Sequence, residues 1–381
     1  MRHVVTKMTA LCFVKWSRIS YKHCFSPIRM AMAEPHIIGC ILGTAIGDAL
    51  GLPYEGVSRQ RLQRLLGPPD RHRFLFRHGM VSDDTEHTCM VAQALIASGM
   101  DLHAFPRDFA RRLRWWFLLL PAGIGRATLR SCLKLWCGVS PQSSGVFSAG
   151  NGPAMRSAIF GAVFDDVKTI AEFTRVSARI THTDPKAEFG AIAIALAAYH
   201  ARTIENPSGS QFVDDLATII GTQGGELVAL LRTVVDSVDN HETTLDYAAR
   251  SGHSKGVSGY TYHTVPVAIH AWLSNPHDYR TAVTAAIECG GDADTTAAIV
   301  GGIVGCATGE GGIPSDWISG MCEWPRNLSW MRRLAVQLHE SSKDGTKQKP
   351  TSLNILIESV RNFLFLTIVL LHGLRRLLPP Y

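Results

Sequence analysis

Acidic and hydroxyl side chains follow a pair of glycines in the segment CGGDADT, residues 289–295 of this 381-residue chain. Asp292, Asp294 and Thr295 offer oxygen atoms, the ligands that Mg²⁺, Mn²⁺ and Ca²⁺ prefer. The glycines permit a tight turn ahead of a predicted helix of small and apolar residues that continues to Gly309. The segment is therefore either a hard-cation site or the N-cap and first-turn acids of a buried helix.

A second acidic pair, Asp83 and Asp84, opens another predicted helix in the segment SDDT at residues 82–85. Adjacent carboxylates that face one site repel each other unless a cation neutralises them, so a buried pair would indicate a metal. An exposed pair would be only a helix cap, because a helix N-terminus favours negative charge. Glu55 lies in the loop GLPYEG, either as a solvated acid or as a further residue of the site.

A stretch rich in glycine and serine at residues 145–152 precedes a helix that we expect to begin near Pro153. Its backbone N–H groups suit an anion ahead of a helix N-terminus, where phosphate is the natural ligand. An ordinary loop and cap is the alternative. His182 precedes the Ala-rich helix predicted at residues 186–203, where a lone histidine is either a capping or surface residue or a ligand contact.

Composition indicates a compactly packed globular protein, with 46% hydrophobic residues, 18% charged residues and a formal net charge of +6. The modest basic excess suits an anionic ligand or surface and does not demand nucleic acid. Nine cysteines form no CxxC pair, which argues against a disulfide framework or a zinc cluster and favours a reducing, cytoplasmic location. No G-x-x-x-x-G-K or G-x-G-x-x-G motif follows a strand.

Helical spacing of apolar residues recurs along the chain, and no alternating strand pattern of any length appears. We therefore predict an all-α domain of many short helices at residues 36–335. Its first helix places Gly39, Gly43 and Gly47 on one face, so that another backbone can come close. Three further segments complete the predicted domain organisation: an N-terminal extension at 1–35, poorly ordered or helical; a polar linker at 336–352; and an apolar and basic C-terminal helix at 353–381.

The C-terminal helix contains a sharply apolar run at residues 363–371 between Arg361 and Arg375. The 13 residues between those arginines fall short of the roughly 20 needed to cross a bilayer. Such a helix docks on the domain, mediates association with a protein, or lies in a membrane interface as a peripheral anchor. These three readings stay open at the level of sequence.

Taken together, the motifs resemble those of the ADP-ribosylglycohydrolase family, the enzymes similar to dinitrogenase reductase-activating glycohydrolase. The resemblance covers the chain from about Ile37 to Trp330. The segments that carry it, in family order, are GCILGTAIGDALGLPYEG from Gly39, SDDT from Ser82, GIGRATLRS from Gly123, SAGNGPAMR from Ser148, THTDPKAE from Thr181, SGYTYHTVPVA from Ser258 and GGDADTTAAIVGGIVGCATG from Gly290.

The resemblance implies a compact orthogonal multi-helix bundle with two Mg²⁺ or Mn²⁺ ions in a central cleft. The implied metal ligands are Ser82, Asp83, Asp84, Asp292, Asp294 and Thr295. The implied catalytic carboxylates are Asp83, Asp84, Glu55 and Asp294. The implied substrate contacts are Gly125, Ser148, Gly150, Asn151, Gly152 and His182, with Tyr260 as a candidate to stack on adenine.

The implied reaction is hydrolysis at the anomeric carbon of ADP-ribose, which removes ADP-ribose from a modified protein side chain or a small molecule. Cleavage there passes through an oxocarbenium-like state, and two cations can orient the ribose hydroxyls and lower the pKa of a bound water. A carboxylate such as Glu55, Asp83 or Asp84 is suited to take that water's proton.

Two alternatives accompany this interpretation. Terpenoid synthases are all-α enzymes that hold a diphosphate through Mg²⁺ and a DDxxD motif, but His87 stands where that motif needs its final acid, three residues after the second Asp. A non-catalytic ADP-ribose-binding or structural member of the same family is the second alternative. Its signature would be the loss of a metal ligand, and none is lost here.

Overall fold

The structure is a computed structural model that describes residues 35–375. The predicted N-terminal extension lies outside the described residues except for Pro35, which begins the first helix. The end of the predicted C-terminal helix, residues 376–381, also lies outside them.

Residues 35–375 form helices joined by short loops, with no strand among them, so the all-α prediction is confirmed. In chain order the α-helices are α1 Pro35–Gly51, α2 Arg59–Leu65, α3 Asp83–Ser98, α4 Phe105–Leu118, α5 Arg126–Trp136, α6 Ala158–Val163, α7 Val167–Thr181, α8 Pro185–Thr203, α9 Gly209–Ile220, α10 Gly225–Asp239, α11 Thr244–Ala248, α12 Thr261–Ser274, α13 Tyr279–Glu288, α14 Ala293–Thr308, α15 Ser315–Ser319, α16 Leu328–Asp344 and α17 Ile355–Arg375. Short 3₁₀ turns lie at Leu52–Tyr54, Ala154–Arg156, Thr222–Gly224 and Glu310–Gly312, and a π-helical turn lies at Ala249–His253.

Two buried helices, α1 and α14, form the centre of the fold and touch backbone to backbone. Their contact is a glycine seam made of Gly39, Gly43, Gly47, Gly301 and Gly305. A Cβ on Gly43 would overlap the carbonyl oxygen of Gly301, and one on Gly39 would overlap that of Gly305. The predicted close approach is therefore real, and it brings the C-terminal end of α1 to the acidic first turn of α14.

Helix α3 begins at the second acidic cluster and packs against both α1 and α16. Ser82 is its N-cap, and its side chain accepts from the backbone N–H of Asp84, which satisfies one of the free donors of the first turn. The helix ends at Gly99, whose left-handed backbone satisfies its last carbonyls. The predicted cap and the predicted acidic first turn thus occur together.

The linker predicted at residues 336–352 begins later than its composition indicated, because α16 continues to Asp344. Val336, Leu338, His339 and Ser341 stay buried in this part of α16, while Lys343 and Asp344 at its end are exposed. Beyond it, the chain lies along α3: Gln348 donates its backbone N–H to Ile96, and Gln93 donates to the carbonyl of Thr351.

Helix α17 docks on the domain through both polar and apolar side chains, among them Phe365, and turns other apolar side chains outward. Arg361 and Asn362 are buried, whereas Leu356, Phe363 and Leu370 are more than half exposed. Among residues 35–375, two helical stretches are apolar enough to cross a membrane by length and composition, Pro35–Tyr54 and Ile355–Leu374. The first is buried throughout, as a core helix is, and the second is mostly exposed on the outside of the domain.

Candidate active site

A cleft of about 600 Å³ opens where the N-terminal ends of α3, α5 and α14 meet. Its lining includes both predicted acidic clusters, the predicted anion loop and a group of apolar side chains. The predicted metal-ligand and catalytic residues that line it directly are Glu55, Ser82, Asp83, Asp292, Asp294 and Thr295. The structure therefore brings two acidic segments together that are about 200 residues apart in sequence.

Asp84 is buried directly beside the cleft, with 1% of its surface exposed. Its Oδ2 accepts from Ser82 Oγ at 3.0 Å and from Thr295 Oγ1 at 3.4 Å. The contact with Thr295 joins the first turn of α3 to the first turn of α14. The two helix starts are thus parts of one polar cluster.

The carboxylates of this cluster are held in surroundings that disfavour their charge. Burial raises the pKa of Asp84 well above its usual range, and the nearby charges of Asp48 and Asp292 raise it further. Burial does the same to Asp294, with Glu55 as the largest of the neighbouring charges. Crowded, buried acids of this kind are costly to keep ionised unless positive charge compensates them.

The donor set fits divalent cations. Asp84 Oδ1 and Asp294 Oδ1 are buried and accept no hydrogen bond from the described part of the chain, although buried polar atoms are nearly always satisfied. Within residues 35–375, no group of three or more His, Cys, Asp or Glu side chains is already placed to hold an ion. Asp292 Oδ2 accepts from Asn151 Nδ2 at 2.6 Å, and Asp84 Oδ2 accepts from Ser82 Oγ at 3.0 Å. A carboxylate oxygen has a second lone pair, so such hydrogen bonds can orient a carboxylate that also binds an ion.

Asp48 supports the cluster from α1 and was not singled out from sequence. It is fully buried and accepts from the backbone N–H groups of Ser82 and Thr85 and from Thr85 Oγ1. Burial raises its pKa to about 7, although these hydrogen bonds lower it. Its carboxylate fixes the start of α3 relative to α1. The feature of the sequence that could have identified it is an acid on an otherwise apolar, glycine-rich helix.

The predicted anion loop forms another part of the cleft, and Ser148, Gly150, Asn151 and Gly152 all line it. The two glycines lie against the ring of His182, where an added Cβ would come within 3.1 Å and 3.0 Å of ring atoms. Asn151 donates from Nδ2 to Asp292 as well as to Thr264 Oγ1. The loop is therefore fixed directly to the acidic cluster.

Arg156 lies beneath this loop, fully buried, and was missed by sequence reasoning. It donates to the Gly152 carbonyl at 2.8 Å and to Thr181 Oγ1 at 2.8 Å, and Thr181 in turn contacts His182 Nδ1 at 2.9 Å. Burial, together with the charge of Arg156, lowers the pKa of His182 to about 3. His182 is consequently neutral near pH 7, and it can act there as a hydrogen-bonding group.

Gly125 lies at the cleft as the N-cap of α5, beside Arg126 and Thr128. Tyr260 is placed differently: it lines a neighbouring pocket of about 240 Å³ with Tyr247 and Tyr262 rather than the cleft itself. Its hydroxyl accepts from Lys186 Nζ at 3.1 Å. Stacking on adenine by Tyr260 therefore stays a prediction.

Comparison with known proteins identifies the family. The family model described as ADP-ribosylglycohydrolase matches residues 31–347. The chain belongs to the ADP-ribosylglycohydrolase family. This agrees with the resemblance carried by its sequence motifs.

The similar proteins cover most of the chain. An uncharacterized protein of Archaeoglobus fulgidus is 31% identical over 81% of this chain and 97% of its own length. The ADP-ribosyl-[dinitrogen reductase] glycohydrolase of Rhodospirillum rubrum is 25% identical over 74% of this chain and 88% of its own, and human ADP-ribosylhydrolase ARH3 is 26% identical over 73% and 87%. A solved structure described as an ADP-ribosylglycohydrolase-related protein complex superposes with a TM-score of 0.61 at 25% identity, covering 81% of this chain and 98% of that one. The chain thus shares the fold of its family, and membership supports the general glycosidic-hydrolase class of that family.

Proposed function

We propose that this ADP-ribosylglycohydrolase removes ADP-ribose from a modified protein side chain or a small molecule by hydrolysis at the anomeric carbon, with two Mg²⁺ or Mn²⁺ ions bound. One observation carries the proposal: two orphaned, buried carboxylate oxygens, on Asp84 and Asp294, lie at a cleft that also presents a glycine-rich anion loop. A cation site next to an anion site suits a ligand that has both a diphosphate and ribose hydroxyls.

The residues that would hold the ions are Ser82, Asp83, Asp84, Asp292, Asp294 and Thr295. Bound divalent cations supply positive charge that orients ribose hydroxyls and favours ionisation of water. The chain itself keeps the ligands in place through Asp48, which anchors the start of α3, and through Asn151, which contacts Asp292. Oxygen donors alone, with no thiol or imidazole among them, favour hard ions over zinc or copper.

ADP-ribose would be held by the other side of the cleft. The loop of residues 148–152 would receive the diphosphate, although the N–H groups of Gly150 and Asn151 already donate to Ser148 and Gly259. Arg126, which lines the cleft nearby, adds a positive charge. Neutral His182, buried behind Gly150 and Gly152, suits a contact with a hydroxyl more than one with a phosphate. In this proposed orientation the anomeric carbon would lie toward the acidic cluster.

Two carboxylates that reach the cleft, Glu55 and Asp83, are the candidates to take the proton from the attacking water. Both are only half-buried, unlike Asp84 and Asp294, so solvent water has access to them. Glu55 also sits in the turn directly after α1, beside the N-terminal turn of α14. A general base must lie within reach of that water.

The proposal is tested by incubating the purified chain with ADP-ribosylated peptides of differing acceptor residues and with O-acetyl-ADP-ribose, with and without Mg²⁺, and measuring free ADP-ribose. Glu55→Gln and Asp83→Asn should each lower kcat by about 100-fold or more if they act as base. Asp214→Asn, on the exposed surface, is the matched control and should turn over normally. Binding of ADP-ribose without turnover of any substrate would instead support a non-catalytic binding role.

A further inference from the structure

Helix α17 lies beyond the residues that the family model matches, which end at 347. It nevertheless forms part of the cleft, through the side chains of Phe365 and Val369. Phe365 is 2% exposed and belongs to a small apolar cluster with Leu52 and Ala122, which line the same cleft. The chain therefore adds a segment of its own to a site whose other residues belong to the family domain.

Buried ion pairs hold this helix in place. Arg361 donates to Glu323 through Nε at 2.9 Å and through Nη2 at 2.8 Å, and it contacts Glu86 at 3.0 Å. Glu86 is on α3, one turn from the acidic pair. All three side chains are almost completely buried, and a buried charge is costly without its partner. The position of α17 is consequently tied to the helix that begins at the acidic cluster.

Further along α17, His372 fixes its C-terminal part. Its Nε2 lies 2.7 Å from the carbonyl of Phe74, and its ring stacks on Phe74 at 4.8 Å. Phe74 also packs against Phe365, with 5.6 Å between ring centroids. Contacts on both sides of Phe365 thus hold in place the part of α17 that lines the cleft, Phe365 and Val369. We call this part the α17 wall.

The α17 wall and the anion loop lie next to different sides of the acidic cluster. The loop contacts Asp292 through Asn151. The apolar cluster includes Ala122, and the next residue, Gly123, lies against Asp83: an added Cβ there would be 3.1 Å from Asp83 Oδ1. With the diphosphate on the loop and the anomeric carbon at the acids, a substituent on that carbon is directed toward the Asp83 flank.

We infer that α17 builds an acceptor subsite, in which Phe365 and Val369 contact the group attached to the anomeric carbon and favour an uncharged, apolar one. The inference rests on the proposed function for the orientation of ADP-ribose. Neither of the α17 side chains at the cleft carries a charge or a hydrogen-bonding group. These two side chains give a charged group no partner for the hydration it loses against them, whereas an apolar group would bury surface.

Binding of three ligands tests the subsite: ADP-ribose, its anomeric O-propyl glycoside and its O-aminoethyl glycoside. The two glycosides differ mainly in charge, and both have poor leaving groups, so titration calorimetry with Mg²⁺ reports affinity without turnover. We expect the chain to prefer the propyl glycoside over the charged one. Val369→Thr adds a hydroxyl at similar volume, and should weaken propyl-glycoside binding by about fivefold to tenfold, with ADP-ribose affinity changed by less than about twofold.

Phe365→Leu is a second variant that keeps the position apolar while altering its shape, and it should also weaken propyl-glycoside binding selectively. Leu370→Thr, on the exposed face of α17, is the matched control and should change none of the three affinities. Equal losses for all three ligands, or no loss with either variant, would overturn the inference. If the wild-type chain binds the ligands with the expected preference but hydrolyses no substrate, the proposed function fails and the subsite stands. If it binds none of them, both fail.

Discussion

Replacing Asp294 by Asn should make the metal-free protein more stable and make it insensitive to Mg²⁺. Asp294 is 5% exposed, its Oδ1 has no hydrogen-bond partner in the described structure, and burial together with Glu55, Asp292, Asp84 and Asp48 raises its pKa. The Asn side chain has the same shape, removes one negative charge from this group of carboxylates and can donate a hydrogen bond to its neighbours. Sites built for function often sacrifice stability in this way.

The size of both effects can be worked out. Relief of repulsion should stabilise the metal-free variant by about 1–2 kcal/mol, the usual range for such substitutions. In the wild-type chain, Mg²⁺ at about a hundred times its Kd should add about 2.7 kcal/mol by mass action. For a domain of this size, with about 2 °C per kcal/mol, the expected rises in Tm are about 2–4 °C for the variant in EDTA and about 5 °C for the wild type on adding Mg²⁺.

Thermal unfolding followed by circular dichroism, in EDTA and in Mg²⁺, measures both quantities. Asp214→Asn makes the same chemical change at a side chain that is 73% exposed, so it should leave both the metal-free Tm and the Mg²⁺ response as in the wild type. A lower Tm for Asp294→Asn than for the wild type in EDTA would mean that repulsion between these carboxylates does not destabilise the metal-free protein. A Mg²⁺ shift as large as that of the wild type would mean that Asp294 holds no ion.

Three other predictions concern the scaffold. Gly43→Ala should destabilise the chain by about 3 kcal/mol or more, or leave it insoluble, because the new Cβ meets the Gly301 carbonyl; a urea midpoint close to that of the wild type would contradict the backbone contact. Arg361→Met should cost about 3–5 kcal/mol, since it leaves Glu323 as a buried charge without its ion-pair partner, while Glu86 keeps Arg326; Arg232→Met, at an exposed and long ion pair, is its control. Burial lowers the pKa of His270 to about 4, below its unfolded value of about 6.5, so the stability given by the neutral ring is complete above about pH 6.5 and declines as the pH falls. His270→Gln should therefore lose less stability than the wild type between about pH 7 and about pH 5 in urea titrations, and equal losses would refute the assignment.

The sequence was sufficient to predict parts of the fold and of the candidate site where the residues that carry the signal are close together along the chain. The pairs Asp83–Asp84 and Asp292–Asp294 could be identified because a helix start concentrates them within a single turn. The glycine spacing of α1 predicted a close helix contact because its period is that of one face. The sequence did not show which residues each acidic pair faces. Only the family resemblance indicated that the two pairs belong to one site.

The features that the sequence did not predict depend on contacts between segments that are distant along the chain. Asp48 and Arg156 contact residues more than 20 positions away along the chain, so no local pattern shows which segments they hold. Val336 and Leu338 continue the buried face of α16 among polar neighbours, which composition alone registered as a linker. Docking of α17 was one of three open readings, and it depends on the contacts of Arg361 with Glu86 and Glu323. Its exposed apolar side chains leave association with a protein or a membrane interface as predictions.

The glycine seam between α1 and α14 also limits how this protein can change during evolution. Gly39 faces Gly305, Gly43 faces Gly301, and Gly47 faces Ala297, in equal steps of four residues on both helices. Inserting or deleting one residue in either helix would turn everything beyond it by about 100°, placing side chains where carbonyls now lie and moving Asp48 or Asp294 away from the cleft. Length variation among descendants of this sequence should therefore collect in the loops, and these two helices should keep their length even where their residues change.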